Sequence, residues 1–399
     1  MQYNTACLEL RVPLSDDGYV FDVNSLYDHL LRLSDKRKAR GKRYSVALVV
    51  VLMVLAKLSG EDQPSGIAQW ARARQALLCR LLQMPRPSLP SHNTYRRVLG
   101  AAVEVAELQA AFREFLQRWP GAGTSVLVAI DGKTLRGSLA PGQTRGLHLL
   151  AAYLPEEGLV LMQVAVGQRE NEIPVAPRVL ESLDLQGKIV RGDALHTQRQ
   201  VSVQIVEAGG EYLWLAKDNQ PSLHQAIEQV FQPEACVKGF SPTPKDFRTA
   251  ETIDKAPGRL EHRTLTTSDA LQGCSDWPYL AQVFKLERRR LQLKTGVIQH
   301  EVAYGLTSLS RAEAGPARLL DLARDYWGIE NGLHYRRDKT LREDATRMSN
   351  PQLAEAVALL NNLVIGLAVR QGWQYLPQAR RHYSACLDEA LNLVLRRPA

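Results

Sequence analysis

The chain has 399 residues, of which 45% are hydrophobic and 23% are charged. This length exceeds what one hydrophobic core usually fills, so we expect two or three domains. The 50 lysines and arginines outnumber the 42 acidic residues, and the net charge of +8 weakly favours a polyanionic partner. The five cysteines are scattered without a C-x-x-C pair, which argues against a zinc site and indicates reduced thiols in the cytoplasm.

No segment of the sequence has the pattern of a membrane span. The longest apolar stretch, Val46 to Ala56, is too short to cross a bilayer. The N-terminus lacks the basic and then apolar layout of a signal peptide. We therefore expect no membrane contact, and we interpret the apolar stretch as a buried helix.

Residues 1–120 are predicted to form an all-α N-terminal domain. From Val23 to Trp119, several segments carry apolar residues three and four positions apart, which is the period of a helix with one buried face. A strongly basic run precedes the apolar helix. This run is either a solvated loop or an arm that contacts phosphates, and its basic residues include Lys36, Arg37, Lys42 and Arg43.

The second half of this domain has the pattern of a helix-turn-helix module. Two short helical segments lie between Gly66 and Leu82 and are followed by a proline-rich loop. Ser91 or Asn93 can cap the next helix, which carries Arg96 and Arg97 near its N-terminus. Short helices followed by a basic helix are typical of DNA-binding modules, but compact helical bundles that bind no DNA have the same pattern.

Near residues 121–124 the composition changes from helix formers to β-branched runs, which marks the best domain boundary. Three predicted strands come first, and helices then alternate with strands. This order is that of an RNase H-like sheet, so we predict an α/β catalytic domain over residues 121–365. The predicted strands are Val126 to Ile130, His148 to Tyr153, Leu159 to Val166, Ile189 to Gly192 and Tyr212 to Leu215, and the predicted helices are Val175 to Leu183, Thr197 to Glu207 and Ser222 to Phe231.

A segment from about residue 234 to 310 interrupts this alternation and is predicted to be a β-rich insertion before the last catalytic helix. It begins with polar sequence and continues as a strand pair. Helical sequence then resumes, and residues 366–399 are expected to form a C-terminal helical tail. The predicted elements are the strands Tyr279 to Leu293 and Val297 to Leu306, and the helices Ala317 to Arg337, Pro351 to Gln371 and Tyr383 to Arg397.

Three acidic residues lie far apart in the sequence, each at a position suited to hold a metal ion. Asp131 and Asp193 each end an apolar strand-like run, and Glu330 lies on a helical segment. A carboxylate at the end of a buried strand is costly unless it is paired or bound to a metal. Two Mg²⁺ ions held by carboxylates activate the attacking oxygen and stabilise the leaving oxygen in phosphodiester chemistry. Each acid alone also has an ordinary interpretation, as a helix cap for the aspartates and a surface residue for the glutamate.

Three sequence blocks around these acids resemble a known family. AIDGKTLRGS, GDALHTQ and YWGIENGLHYRRDKTLRED are similar, in order and spacing, to the signature blocks of bacterial insertion-sequence DDE transposases of the ISAs-type group, which includes the H-repeat-associated proteins of Rhs elements. The N-terminal RGKRY run and the S-x-x-T-x-R-R-V-L segment resemble that family's associated domain. The resemblance implies an RNase H-like catalytic domain with Asp131, Asp193 and Glu330 as the catalytic, metal-binding triad, holding two Mg²⁺ ions for which Mn²⁺ can substitute.

The resemblance also implies residues that contact DNA. Some of them follow the first or the second acid closely, and one lies two helical turns after Glu330, where it can face the same side of the helix. The alternative for each is an ordinary surface charge. These residues are Lys133, Arg136, His196, Gln198, Lys217 and Arg337.

The chain departs from the family pattern in two places. Asp218 stands where the family usually has a glycine, which adds negative charge near the implied DNA path. Arg337 and Lys339 lie in a run where the family usually has aromatic and apolar residues, so this helix is either more exposed or closer to DNA. The acids of the block are retained at Asp338, Glu343 and Asp344.

From the acids and the resemblance we expect a DNA transposase that cleaves strands at the ends of an insertion sequence and transfers them into target DNA. Its partners would be double-stranded DNA, as terminal inverted repeats and as target, bound by a homodimer on the nucleoid of a bacterial cytoplasm. Two alternatives stay open, namely a domesticated DDE endonuclease and a non-mobile DNA-binding protein that keeps the fold. Intact inverted repeats beside the gene would favour the transposase.

Overall fold

The computed structural model describes residues 21–398, except residues 83, 85–87, 140–144, 233–245, 326 and 397. The chain forms two compact units. The first unit combines the described residues up to Ser125 with Gly132–Arg169 and with the residues from Glu330 onward. The second unit consists of Val126–Asp131 and Glu170–Ile329. Each unit is therefore assembled from segments that are distant in the sequence.

Helices dominate both ends of the chain, and strands dominate its middle. The strands are β1 (Leu127–Thr134), β2 (His148–Leu154), β3 (Leu159–Val166), β4 (Ile189–Arg191), β5 (Glu211–Ala216), β6 (Arg248–Ala256), β7 (Arg259–Ser268), β8 (Gln282–Gln292) and β9 (Ile298–Thr307). The helices are α1 (Leu26–Leu30), α2 (Val46–Leu58), α3 (Pro64–Ala73), α4 (Gln75–Leu81), α5 (His92–Arg97), α6 (Val105–Gln117), α7 (Ala176–Glu181), α8 (Arg199–Glu207), α9 (Pro221–Phe231), α10 (Pro316–Asp325), α11 (Trp327–Ile329), α12 (Pro351–Arg370), α13 (Leu376–Ala385) and α14 (Leu387–Leu395).

Two apolar helices form the core of the first unit. Helix α2 is buried along nearly its whole length, and the hydroxyl of Ser45 caps it by accepting a hydrogen bond from the Leu48 amide at 3.1 Å. Helix α12 packs against α2, α6 and β3. Among the described residues, α12 is the one helix long and apolar enough to cross a membrane, but 83% of its apolar window is buried inside the protein. Both helices are therefore core helices.

The second unit is built around parallel strands β1, β4 and β5, followed by four antiparallel strands. Strand β9 pairs with β5, and β8, β7 and β6 follow in turn. Helix α10 covers one face, where Leu319 packs with Leu127, Ile189, Leu213 and Phe284. Strand β1 continues into the first unit, and the full strand order is β3-β2-β1-β4-β5-β9-β8-β7-β6. The first five strands therefore follow the order 3-2-1-4-5.

Most predicted elements are present with ends shifted by a few residues, but the structure differs from the prediction in two places. The sequence assigned no strand to the polar start of the β-rich insertion, and this part contains β6 and β7. On β7 a charged residue occupies a buried position, because Glu261 is paired with Arg263, Arg288 and Arg290. The predicted single C-terminal helix is two helices, since the backbone of Cys386 leaves the helical region with φ −109° and ψ 72°.

Candidate metal and nucleic-acid site

Asp131 and Asp193 lie at neighbouring positions in the second unit. Strands β1 and β4 are parallel, and their register pairs Ala129 with Arg191. Asp131 and Asp193 each follow two residues later, so they lie on adjacent strands, with Asp131 inside β1, which continues to Thr134, and Asp193 two residues after the end of β4. The structure therefore places two of the three predicted metal ligands on adjacent parallel strands.

The Asp193 side chain caps the following helical turn and is also partly exposed to solvent. Its Oδ1 accepts a hydrogen bond from the Leu195 amide at 2.9 Å, which is the cap interpretation considered from the sequence. The side chain nevertheless remains 53% exposed. Gly192 is required here, because a Cβ at this position would lie 2.8 Å from the ring of His196. The cap holds the carboxylate in place while leaving it accessible to a ligand.

His196 was predicted to contact DNA, but the structure buries it completely. Its side chain is 0% exposed, and its Nε2 lies 3.0 Å from Oε2 of Glu172. An imidazole in this position cannot reach a phosphate, so its contacts give it a structural role beneath Asp193. Glu172 was not predicted as a partner of His196, because no local sequence pattern relates two residues so far apart in the chain.

Glu330, the third predicted acid, belongs to the first unit. The chain from Glu330 to His334, and again from Arg336 to Thr340, winds as π-helix, a form often found at functional sites. The Glu330 side chain is 57% exposed, and its Oε2 lies 3.8 Å from Nδ1 of His334. His334, four residues later on the same helical face, is a neighbour that the spacing alone could have revealed.

Lys133 was also predicted to contact DNA, and its observed contacts are internal to the first unit. Its ammonium donates to Oδ2 of Asp338 at 2.7 Å and lies 3.9 Å from Asp344, and its side chain is 7% exposed. The neighbouring Arg136 side chain is 85% exposed, with its Nε 3.8 Å from Asp344. Lys133 thus ties β1 to the acids after the Glu330 segment, and Arg136 remains open to a ligand.

Arg337 is the third predicted DNA contact that the structure buries. Its Nε donates to Oε2 of Glu343 at 2.7 Å, and the two side chains are 1% and 0% exposed. Its Nη1 lies 3.5 Å from Oε1 of Gln163. A buried guanidinium needs such a carboxylate partner, because an unpaired charge in the interior is very costly. The charge that looked available for DNA is therefore neutralised inside the first unit.

The Arg337 pair belongs to a larger buried polar network. Glu343 accepts a hydrogen bond from Asn361 at 2.8 Å, and Asn361 accepts one from Lys57 at 2.7 Å. Burial lowers the pKa of Lys57, while the nearby Asp62 opposes this shift. The network links α2 and α12 to the end of the Glu330 segment, so this segment is held by polar contacts deep in the first unit.

The remaining predicted DNA contacts differ in exposure. Arg37 is turned inward, where its guanidinium donates to Asp35 and to the carbonyls of Gly41 and Tyr44. It therefore holds the basic loop in shape. Gln198 is half-buried and donates to the Leu195 carbonyl at 3.1 Å. The exposed members of the predicted set are Lys36, Lys42, Arg43, Arg96, Arg97, Arg136 and Lys217.

Asp131 on β1 and Asp193 after β4 are acids of the kind that hold a divalent metal of the Mg²⁺ type. They offer carboxylate oxygens on adjacent strands, and Mg²⁺ binds one or two carboxylates while keeping several waters. The exposure of Asp193 leaves room for those waters. Phosphatases, polymerases and nucleases, which act on phosphate esters, use divalent metals in this way.

Comparison with known families agrees with this class. The transposase DDE domain matches residues 122–367, and the DDE_Tnp_1-associated domain matches residues 27–116. The chain therefore belongs to the DDE transposases of bacterial insertion sequences, which are enzymes with endonuclease and transferase activity. Enzymes of this family generally depend on divalent metal.

Several curated relatives extend over most of the chain. The "H repeat-associated putative transposase YhhI" of Escherichia coli K12 is 24% identical, over 87% of this chain and 90% of its own length. The "Putative transposase YncI" of Escherichia coli O157:H7 is 26% identical, over 86% of this chain and 87% of its own. Among solved structures, the piggyBac transposase synaptic complex with hairpin DNA aligns with 96% of this chain and 81% of its own, at 11% identity and a TM-score of 0.46.

Proposed function

We propose that this transposase cleaves DNA strands at the ends of an insertion sequence and transfers them into target DNA by two-metal chemistry. The observation that carries the proposal is the register of β1 and β4, which sets Asp131 and Asp193 on adjacent parallel strands. The strand order 3-2-1-4-5 supports an RNase H-like catalytic core, into which β6 to β9 are inserted.

Asp131, Asp193 and Glu330 are the proposed ligands of two Mg²⁺ ions, for which Mn²⁺ can substitute. When bound, the ions supply Lewis-acid activation of the attacking oxygen and charge stabilisation for the leaving oxygen. Asp131, Asp193 and Glu330 would each contribute carboxylate oxygens to hold the ions. The cap contact of Asp193 and the π-helical segment of Glu330 orient these side chains before DNA binds.

The exposed basic residues are the proposed contacts to double-stranded DNA. Arg96 and Arg97 lie on α5, in the segment proposed to act as a helix-turn-helix-like module. Lys36, Lys42 and Arg43 form the proposed basic arm before α2. The two ends of an insertion sequence must be brought together for transposition. We therefore propose that the protein acts as a homodimer on DNA, on the bacterial nucleoid in the cytoplasm.

The proposal is tested with a linear DNA that carries the gene and its flanking sequence. The full-length parent is expected to cut this DNA at defined positions when Mg²⁺ or Mn²⁺ is present. Asp131→Asn, Asp193→Asn and Glu330→Gln should each lower the cleavage rate more than about 100-fold, because even residues next to metal ligands cost 10- to 100-fold. Asp388→Asn, which changes an exposed acid on α14, is the matched control.

The outcomes separate the proposed activity from its alternatives. Cleavage and joining that depend on metal and on all three acids support the transposase. Cleavage without joining would leave a DDE endonuclease. If the parent binds this DNA equally with and without Mg²⁺ and never cuts it, the catalytic proposal is wrong and a binding protein remains. Any triad variant that cuts at the parent's rate removes that residue from the site.

A further inference from the structure

The first unit contains a groove that the catalytic proposal does not use. It encloses about 880 Å³, within the range of roughly 300–1,000 Å³ that is usual for ligand sites. One wall is the helical segment after Glu330, where Asn331, Tyr335 and Lys339 line the groove. The turn before α13 and the middle of that helix also line the groove, and they contribute Tyr375 and Arg381.

The groove is cationic. Four lysine or arginine side chains line it, and none of its lining residues is acidic. Arg380 is buried and committed to the protein, because it donates twice to Asp62 at 2.9 Å and once to the Thr340 carbonyl. Lys339 and Arg381 are exposed, and Arg336 is half-buried with one hydrogen bond to the Gln374 carbonyl at 3.0 Å. Three cations thus line the groove without an acidic residue among its lining, and they favour an anionic ligand.

Two aromatic rings stand beside these cations. Tyr335 and Tyr375 are each 56% exposed, so both rings are accessible to a ligand. Neither ring stacks on another aromatic ring within the described residues. Exposed rings interleaved with cations are the composition of surfaces that bind single-stranded nucleic acids, where the rings stack on bases and the cations follow the phosphates.

We propose that this groove binds a single strand of DNA, with bases stacked on Tyr335 and Tyr375 and phosphates held by Arg336, Lys339 and Arg381. The proposal rests on the function proposed above and names the form of DNA that the first unit holds beside Glu330. Asn331, at the edge of the groove, directly follows that acid in the chain. A strand in the groove would therefore lead toward the third acid.

The tyrosines favour a single strand over a duplex. In a duplex the base faces are stacked on each other and only base edges reach the grooves, so an exposed ring finds no face to stack on. A simple phosphate ligand would use the cations and leave the rings uncovered. An unpaired strand uses both, since each of its nucleotides carries one charge and one free base face.

The test measures binding by fluorescence anisotropy with the full chain in EDTA. The probes are a fluorescein-labelled oligothymidylate of about 12 nucleotides, within the 4–16 nucleotide sites of single-strand-binding folds, and a duplex of equal length. Tyr335→Ala and Tyr375→Ala should each weaken oligothymidylate binding about 5- to 150-fold, the effect of losing one stacked base. Tyr335→Phe and Tyr375→Phe keep the ring and should bind as the parent does.

The cations are tested through the salt dependence of the same binding. Lys339→Gln and Arg381→Gln should each reduce the slope of log affinity against log salt by about 0.7, the value for one phosphate contact to a single strand. Arg289→Gln, which changes an exposed cation on β8 of the second unit that does not line the groove, is the matched control and should leave the slope unchanged. Thermal unfolding of each variant verifies that it is folded.

The proposal is overturned if the parent does not bind oligothymidylate, or if the alanine variants bind it as the parent does. Equal losses for oligothymidylate and duplex would also overturn it, since the groove would then be a duplex surface. Because EDTA prevents cleavage, this result is separate from the catalytic test. If the protein binds oligothymidylate through the groove but never cuts DNA, only the catalytic proposal is wrong. If it cuts DNA but does not bind oligothymidylate through the groove, only the groove proposal is wrong.

Discussion

Arg337 and Glu343 form an ion pair that is closed off from solvent, with the guanidinium Nε 2.7 Å from the carboxylate and both side chains at most 1% exposed. The same two residues are joined by their backbones, since the Glu343 amide donates to the Arg337 carbonyl at 3.0 Å. The pair therefore closes the end of the segment that carries Glu330. A residue that the sequence presents as a DNA contact is instead part of the framework of the site.

Removing the arginine of this pair should destabilise the protein severely. Arg337→Ala leaves Glu343 charged and buried without its partner, which typically costs about 3–5 kcal/mol. Urea unfolding should show this loss in the free energy of unfolding. The control Arg318→Ala, at an exposed position on α10, should stay within about 0.5 kcal/mol of the parent. A stable Arg337→Ala protein with weakened DNA binding would instead return Arg337 to the DNA surface.

Gly137 should tolerate no side chain, because it lies directly against the backbone that follows Glu343. A Cβ at Gly137 would overlap the carbonyl oxygen of Thr346, and the Met348 amide donates to the Gly137 carbonyl at 2.8 Å. Gly137→Ala should therefore cost about 1–3 kcal/mol of unfolding free energy, as overpacking usually does. Gly315→Ala is the control, since no atom lies within 4 Å of a Cβ there. Equal stability of the two variants would contradict the close packing.

The half-buried Glu355 on α12 should make stability depend on pH in an identifiable direction. Burial raises the pKa of its carboxyl above the ordinary value of 4.5. A carboxyl raised in this way stabilises the fold fully below its ordinary pKa, and this contribution is lost as pH rises through the raised value. Glu355→Gln removes the charge, so it should raise the free energy of unfolding at pH 8 and change it little near pH 4. A gain of the same size at both pH values would exclude this cause.

Divalent metal should stabilise the protein even without DNA. A ligand that binds only the folded state adds about 2.7 kcal/mol when its concentration is 100 times its dissociation constant. Thermal unfolding with increasing Mn²⁺ should therefore shift upward for the parent and much less for Asp193→Asn. Asp388→Asn should shift as the parent does. If Asp193→Asn responds fully to Mn²⁺, the ion binds elsewhere.

The elements that the sequence predicts well are those whose burial follows a simple period. Strand β3 has the predicted ends Leu159 and Val166, and α12 ends one residue before its predicted end. Strand β6 was missed because none of its positions is fully buried, and β7 was missed because its buried positions include a charged residue, Glu261, whose arginine partners lie on the same strand and on β8. Alternation of apolar and polar residues cannot reveal a strand whose inner face is held by ion pairs.

In the candidate site, the acids were predicted from the sequence, but the burial of the neighbouring charged residues was not. Asp131 and Asp193 were identified because each ends a strand-like apolar run, and the register then places them together. The buried states of Lys133, His196 and Arg337 were not foreseen, because a charged residue in a polar stretch has the same local pattern whether it faces water or a carboxylate. Their partners Asp338, Glu172 and Glu343 come from other turns or other segments of the chain.

The sequence by itself determined the family, the mixed α/β class with its helical N-terminal part, and the three acids to be tested as metal ligands. These features are carried by local order and spacing, which a linear chain displays directly. The tertiary structure alone decided which charges are internal and which remain exposed, and it formed the groove of Tyr335, Tyr375 and Arg381. The reason is that the energy of a charge depends on its partner and its solvent, and both are set by segments that folding brings from far along the chain.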